Sequence, residues 1–310
     1  MLFSQIIGHE DIKKKLIQSV KENRVAHAQL FLGPEGTGKL ALAVAYAQYI
    51  NCTNKKENDS CGECPSCRQM SKLIHPDVHF VFPVNKGPKT SDDKPTSESY
   101  IKYWRELAVA DPYFTESDLQ KAIGIESKNG LIAVAEAKSI INKLSLTAVG
   151  DGYKAVIFYL PEKMNQETAN RLLKMVEEPP VQTLFIFITH APEKVLQTIF
   201  SRCQSVRVMP LTKEEAARVN ALKPQSEDSD ADVFKELFYD LMNSIVSRDL
   251  MAALECGEAI AALDSREKQK AFCAYAGDCM RKIFMIQQNM PQIAGVEDAE
   301  QEFYASLAQK

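Results

Sequence analysis

The chain has 310 residues, 45% of them hydrophobic and 25% charged, enough for two or three domains and a sizeable core. Its net charge of -4 excludes an overall cationic field, so any contact with nucleic acid must be local or shared with partners. The N-terminal MLFSQIIGHEDIKKK lacks the charged-then-apolar layout of a signal peptide, and no apolar run approaches the roughly 20 residues of a membrane span. These features predict a cytoplasmic protein. Eight cysteines then point to metal binding more than to disulfides, because the cytosol keeps thiols reduced.

In chain order, HEDIKKKLIQSVKENRV (9–25) predicts an amphipathic helix with Ile12, Leu16 and Val20 on one face. AQLFLG (28–33) is a short buried strand that runs into the glycine-rich GPEGTGKL (33–40), and KLALAVAYAQYI (39–50) is a strong helix free of Gly and Pro. HPDVHFVFPV (75–84) predicts a second strand. NKGPKTSDDKPTS (85–97) is polar and predicts a mobile loop. SYIKYWRELAVADPYF (99–114) predicts a helix within an insertion that spans 85–130. VAEAKSIINKLSL (134–146) is helical, with Val134, Ala137, Ile140, Ile141 and Leu144 as its apolar stripe. KAVIFYL (154–160) and TLFIFITH (183–190) are continuous apolar runs of the kind that form central strands covered on both faces, with QETANRLLKMVEE (166–178) as the helix between. This alternation predicts a mostly parallel α/β sheet over residues 1–209. Residues 210–230 are polar and partly loop-like, and 231–310 hold only helical patterns, three or four of them.

GPEGTGKL carries the chemistry. In a phosphate loop, backbone N–H groups wrap phosphates at a helix N-terminus, a lysine reaches the outer phosphates, and a Ser or Thr hydroxyl holds Mg²⁺. Gly33, Gly36, Gly38 and Lys39 fit the first two jobs; Leu40 has no oxygen for the third. The matching acidic pair at the end of a later apolar strand is missing too. KAVIFYL ends in Tyr159 and Leu160, and Glu162 lies beyond a proline that should misplace it. Both defects strike Mg²⁺ binding, which predicts a site unable to hydrolyse nucleotide and leaves ATP binding in doubt.

NCTNKKENDSCGECPSCRQM places Cys52, Cys61, Cys64 and Cys67 as C-x8-C-x2-C-x2-C, the pattern of a closed, structural Cys₄ zinc site. An iron–sulfur cluster also uses C-x2-C-x2-C, but the C-x3-C-P continuation of bacterial ferredoxins is missing. Redox thiols are a further alternative, although four exceed one couple. His75 reads as a loop histidine before Pro76 rather than a ligand. Cys203, Cys256, Cys273 and Cys279 are scattered, and the last three read as helical core fillers.

Taken together, the phosphate loop, the four-cysteine module, ANRLLKMVEEPP (169–180) and FSRCQSVRV (200–208) resemble the clamp-loader subunits of bacterial DNA polymerase III, a branch of the AAA+ ATPases. The resemblance covers about residues 4–209, allowing for the insertion. It implies an AAA+ α/β domain with a zinc module, then a helical collar-like domain at 231–310. The family's three-helix lid does not fit into 210–230, so the lid is reduced or the chain is edited or incomplete. The resemblance also implies a role in placing the sliding clamp on primed DNA, within a hetero-pentamer of motor and delta-type subunits. Lacking the Mg²⁺ ligands, the chain is similar to the family's non-hydrolysing members. Arg202 of the S-R-C tripeptide then corresponds to an arginine finger acting in trans on a neighbour's γ-phosphate. From the tripeptide alone it reads as a surface ion pair. Glu177, Glu178, Pro179 and Pro180 read as a helix exit.

Two other readings stand beside this one. Lys39 motivates an ATP-hydrolysing motor subunit, against which Leu40, Tyr159 and Leu160 argue. A zinc-stabilised nucleic-acid module is the third, although the knuckle mixes charge signs and carries no aromatic residue for base stacking. Tyr103 and Trp104 in the insertion read as core or as a partner surface.

Overall fold

A computed structural model describes residues 1–126, 128–145, 152–222, 230–263, 266–290, 295–296 and 300–308. The chain divides into two compact units, Met1–Pro224 and Gln225–Lys310.

The first unit is built on five parallel strands, β1 (Ala28–Leu32), β2 (Val78–Val81), β3 (Lys154–Tyr159), β4 (Thr183–Thr189) and β5 (Gln204–Arg207), in the order β2-β3-β4-β1-β5. β1 and β4 are buried along their whole length. Phe31, Ile157 and Ile186 face one core layer, and Leu30, Val156, Phe158, Phe185 and Phe187 face the other. A strand with apolar cover on both sides has no reason to alternate, which is why these strands read as continuous apolar runs. One layer is closed by α1 (Glu10–Lys21) and α2 (Lys39–Asn51), the other by α6 (Val134–Ser145) and α7 (Gln166–Glu177). This is the mostly parallel α/β sheet predicted for residues 1–209, with the glycine-rich loop between β1 and α2.

β2 and the insertion after it depart from expectation in three ways. β2 is shorter than 75–84, because the chain peels away at Phe82, whose N–H and C=O are both taken by the Ser97 hydroxyl (2.9 and 3.2 Å). Residues 85–96 are irregular but pinned, with the Gly87 N–H donating to the Tyr100 hydroxyl at 3.0 Å and Lys86 pairing with Asp93 at 2.5 Å. The predicted helix forms as α4 (Ser97–Ala110), and a second, unpredicted helix follows as α5 (Glu116–Ile123). Its start is a capping box: the Thr115 hydroxyl accepts the Asp118 N–H, and Asp118 accepts the Thr115 N–H. Trp104 is fully buried and stacks on Phe82 at 4.4 Å, so it belongs to the core.

Short α3 (Pro65–Ser71) closes the cysteine region, and α8 (Gln197–Phe200) precedes the polar edge strand β5, which the sequence reading missed. One helix, α9 (Lys213–Leu222), follows among the described residues of 210–230; 223–229 lie outside them.

The second unit holds α10 (Asp230–Ser247), α11 (Leu250–Ala261), α12 (Arg266–Gln287) and α13 (Gln301–Ala308). Phe234, Phe238, Phe272, Cys279, Ile283, Tyr304 and Leu307 form its core. Of the three cysteines expected there as fillers, only Cys279 is buried; Cys256 is half-buried and Cys273 exposed. Phe272 takes the core position, and its successor is turned about 100° around the helix. Among the described residues no helix is long and apolar enough to cross a membrane.

Candidate nucleotide site and metal centre

The phosphate loop joins β1 to α2, and close approach dictates its glycines. A Cβ on Gly33 would lie 2.0 Å from the Val208 carbonyl oxygen, so no other residue fits there. Gly38 caps α2 at φ +79°, where a Cβ would also meet the Tyr113 ring at 2.6 Å. Gly36 faces open space.

Lys39 is folded onto its own loop. Its Nζ donates to the Gly33 carbonyl (2.8 Å), to the Pro34 carbonyl and to the Thr37 hydroxyl (3.2 Å). Burial lowers its pKa to about 8, against the opposing charges of Glu35 and Glu162. Leu40 points the other way. It is 4% exposed and packs into the core layer that holds Val44, Met70 and Ala108. No oxygen stands where the magnesium-binding hydroxyl belongs.

At the end of β3, Tyr159 is buried among Trp104 and Phe114, with ring centroids at 5.5 and 5.2 Å. Glu162 lies past Pro161, where its charge is felt by Lys39. Leu160 turns the chain in the left-handed region (φ 58°), and the Pro161–Lys163 turn brings Glu162 back toward the loop. Its Oε1 accepts the His190 N–H at 3.3 Å, while its Oε2 is buried and unpartnered. Burial raises the Glu162 carboxyl, and likewise that of Glu35.

His190, at the exit of β4, joins this cluster unforeseen. Burial, then the charge of Lys39, push its pKa down to about 3, so the imidazole is neutral at physiological pH. Its Nε2 lies 3.4 Å from the Tyr159 hydroxyl and 3.8 Å from Glu35 Oε1. The sequence signal was available: a polar residue that ends a buried parallel strand sits at the carboxyl edge of the sheet, where ligands bind in open α/β folds. The resulting cluster holds one lysine, two carboxyls raised by burial and a neutral histidine. It can fix the lysine, but Leu40, the residue after it, offers no hydroxyl to a metal.

Arg202 lies elsewhere. β1 and β5 are parallel, and Leu32 and Arg207 pair at the phosphate-loop end while Gln29 and Gln204 pair at the opposite end. Arg202 precedes that opposite end. Its guanidinium is gripped by Glu177 through Nε and Nη2, and Nη1 donates to the Thr198 carbonyl at 2.9 Å and the Ser201 hydroxyl at 3.3 Å. The side chain is 35% exposed. Glu177 therefore does more than shape a helix exit: it is the last residue of α7 and holds the arginine.

Cys52, Cys61, Cys64 and Cys67 converge, with all four sulfurs within 4.8 Å of one another. Cys52–Cys61, Cys61–Cys67 and Cys64–Cys52 are separated by 3.5, 3.9 and 4.0 Å. A tetrahedron with Zn–S bonds of 2.3 Å requires sulfurs about 3.8 Å apart, so the set fits zinc and fills its shell. Backbone N–H groups of Cys61, Cys64 and Cys67 point at the sulfurs of Cys52, Cys61 and Cys64 (3.3–3.5 Å). Burial works against ionisation of Cys64, but hydrogen bonds from Thr53 and the Cys67 N–H hold its thiol down to about 5. His75 is outside the cluster; its Nδ1 accepts the Asp77 N–H at 3.2 Å. The module also ties down the N-terminus, since Asp59 accepts the N–H groups of Phe3 and Ser4 at 3.0 and 2.9 Å.

Residues 8–212 match the family described as DNA polymerase III, delta subunit. A Bacillus subtilis protein named DNA polymerase III subunit delta' is 28% identical over 64% of this chain and 47% of its own length. A Pseudomonas aeruginosa subunit delta' is 30% identical over 68% of this chain and 51% of its own. The B. subtilis subunit tau is 27% identical over 68% of this chain and 30% of its own. The chain thus spans about half or less of the length of these relatives.

Proposed function

Because the chain belongs to the DNA polymerase III delta subunit family, we propose that it is a delta-prime-type subunit of a clamp loader, one that does not hydrolyse ATP itself. It works beside motor and delta-type subunits in a hetero-pentamer that places the sliding clamp on primed DNA. Zinc at Cys52, Cys61, Cys64 and Cys67 is structural, because four sulfurs leave no open position for chemistry.

The observation that carries the non-hydrolysing reading is Leu40, buried in the core at the position that must offer Mg²⁺ an oxygen. The test is ATP turnover by the purified chain with Mg²⁺. No turnover above background is expected; turnover lost in Lys39→Ala would reverse the reading. Arg202, exposed at the end of the sheet remote from the chain's own loop, suits a finger offered to a neighbour. In the assembled complex Arg202→Ala is expected to lower DNA-stimulated ATPase about 10³-fold, the low end for arginine fingers. Unchanged ATPase and clamp loading would remove that role.

A second reading, an ATP-hydrolysing motor, draws on Glu162, which the turn after β3 returns to the field of Lys39. It still lacks the hydroxyl partner.

A further inference from the structure

We propose that residues 111–116 of the insertion close the phosphate loop to nucleotides, with the Tyr113 ring filling the space that the nucleoside of a loop-bound nucleotide needs. This deepens the non-hydrolysing reading and rests on it. The missing hydroxyl at Leu40 removes a magnesium contact, but it does not by itself prevent a nucleotide from binding.

The contacts form a set around the loop. Tyr113 is 5% exposed and lies so close to Gly38 that a Cβ there would be 2.6 Å from its ring. Its hydroxyl accepts the Ile7 N–H at 3.0 Å, and its ring packs with Ile7 and Val219. Three residues on, the Glu116 N–H donates to Glu35 Oε1 of the loop at 2.6 Å, and the Glu116 carboxylate pairs with Lys163 at 2.8 Å. Phe114 anchors the segment from below through its contacts with Trp104 and Tyr159. The space left beside Ala41 is a cavity of about 230 Å³ lined by Met1, Ile6, Tyr113 and Leu222 among others. A segment held at both ends and buried in the middle is part of the wall.

The probes are ADP and ATP, each titrated with Mg²⁺ and with EDTA, followed by calorimetry and by fluorescence. Trp104 is the single tryptophan and meets Phe114 edge-on at 5.1 Å, so its emission reports displacement of the segment. The wild-type chain is expected to bind neither nucleotide at ~1 mM, corresponding to less than about 4 kcal/mol of affinity. Tyr113→Ala combined with Glu35→Ala is expected to gain at least about tenfold in ADP affinity, and Lys39→Ala in that background to remove the gain. Tyr113→Phe keeps the ring and should stay closed.

Micromolar binding by the wild type would overturn the proposal, as would a double variant that keeps its zinc and circular dichroism yet gains nothing. Should the double variant fail to fold, hydrogen exchange of the wild type decides. Protection of 111–118 is expected to ignore millimolar ADP, and any nucleotide-dependent change overturns the closed state. Binding without turnover by the wild type would defeat the plug and leave the non-hydrolysing reading standing.

Discussion

Replacing Trp104 by alanine removes the side chain that joins the insertion to the sheet. Trp104 is fully buried, stacked on Phe82 at 4.4 Å with an interplanar angle of 5°, edge-on to Phe114 at 5.1 Å and 5.5 Å from Tyr159. Truncation of a buried tryptophan costs about 3–5 kcal/mol, and three close aromatic partners place this one at the upper end. The indole Nε1–H, however, is buried without a partner. Phenylalanine would keep much of the stack and delete that unpaired donor, whose burial costs about 1–3 kcal/mol. Trp104→Phe is therefore expected to cost under about 1.5 kcal/mol and Trp104→Ala about 5. The assay is urea unfolding followed by far-ultraviolet circular dichroism, supported by thermal melts. In a unit of this size 5 kcal/mol corresponds to a fall of about 10–20 °C. A loss below about 1.5 kcal/mol for alanine, or equal losses for both variants, would refute the view that this ring cluster anchors the insertion.

Zinc should copurify one to one, and chelation or Cys64→Ala should lower the melting temperature and expose the N-terminus to proteases, since Asp59 between the ligands holds Phe3 and Ser4. Gly33→Ala should destabilise by at least about 2 kcal/mol in urea unfolding, because its Cβ would lie 2.0 Å from the Val208 carbonyl oxygen. His190 has its folded pKa depressed to about 3, so folding favours its neutral form. Its contribution is present above the unfolded value near 6.5 and is lost as pH falls from there toward 3. NMR should show no titration of His190 between pH 5 and 8, and His190→Leu should flatten the acid limb of the stability profile relative to wild type.

The central sheet was legible in the sequence because β1, β3 and β4 are short apolar runs with no alternation, and double burial produces that pattern. The cysteine cluster was legible because four thiols at close spacing leave few other arrangements. β5 was not: QSVR is an exposed edge strand held by pairing to β1, and it carries no apolar signature. α5 was hidden because eight residues give little periodicity, although Thr115 and Asp118 spell its cap. At the site, the loop glycines were read from spacing alone. Glu35, Glu162 and His190 come from three segments, and only the parallel register of β3, β4 and β1 gathers them. Leu160 turns in the left-handed region just before Glu162, a conformation that the sequence pattern does not announce.

β5 also works as a ruler. Arg202 stands before its first residue, and Val208, whose carbonyl presses on Gly33, stands after its last. The four extended residues of β5, Gln204–Arg207, span about 13 Å. That length, paired along β1, separates the Arg202 end of the strand from the phosphate-loop end. The spacing between the two ends is set by backbone geometry, and substitution of side chains along the strand leaves it unchanged.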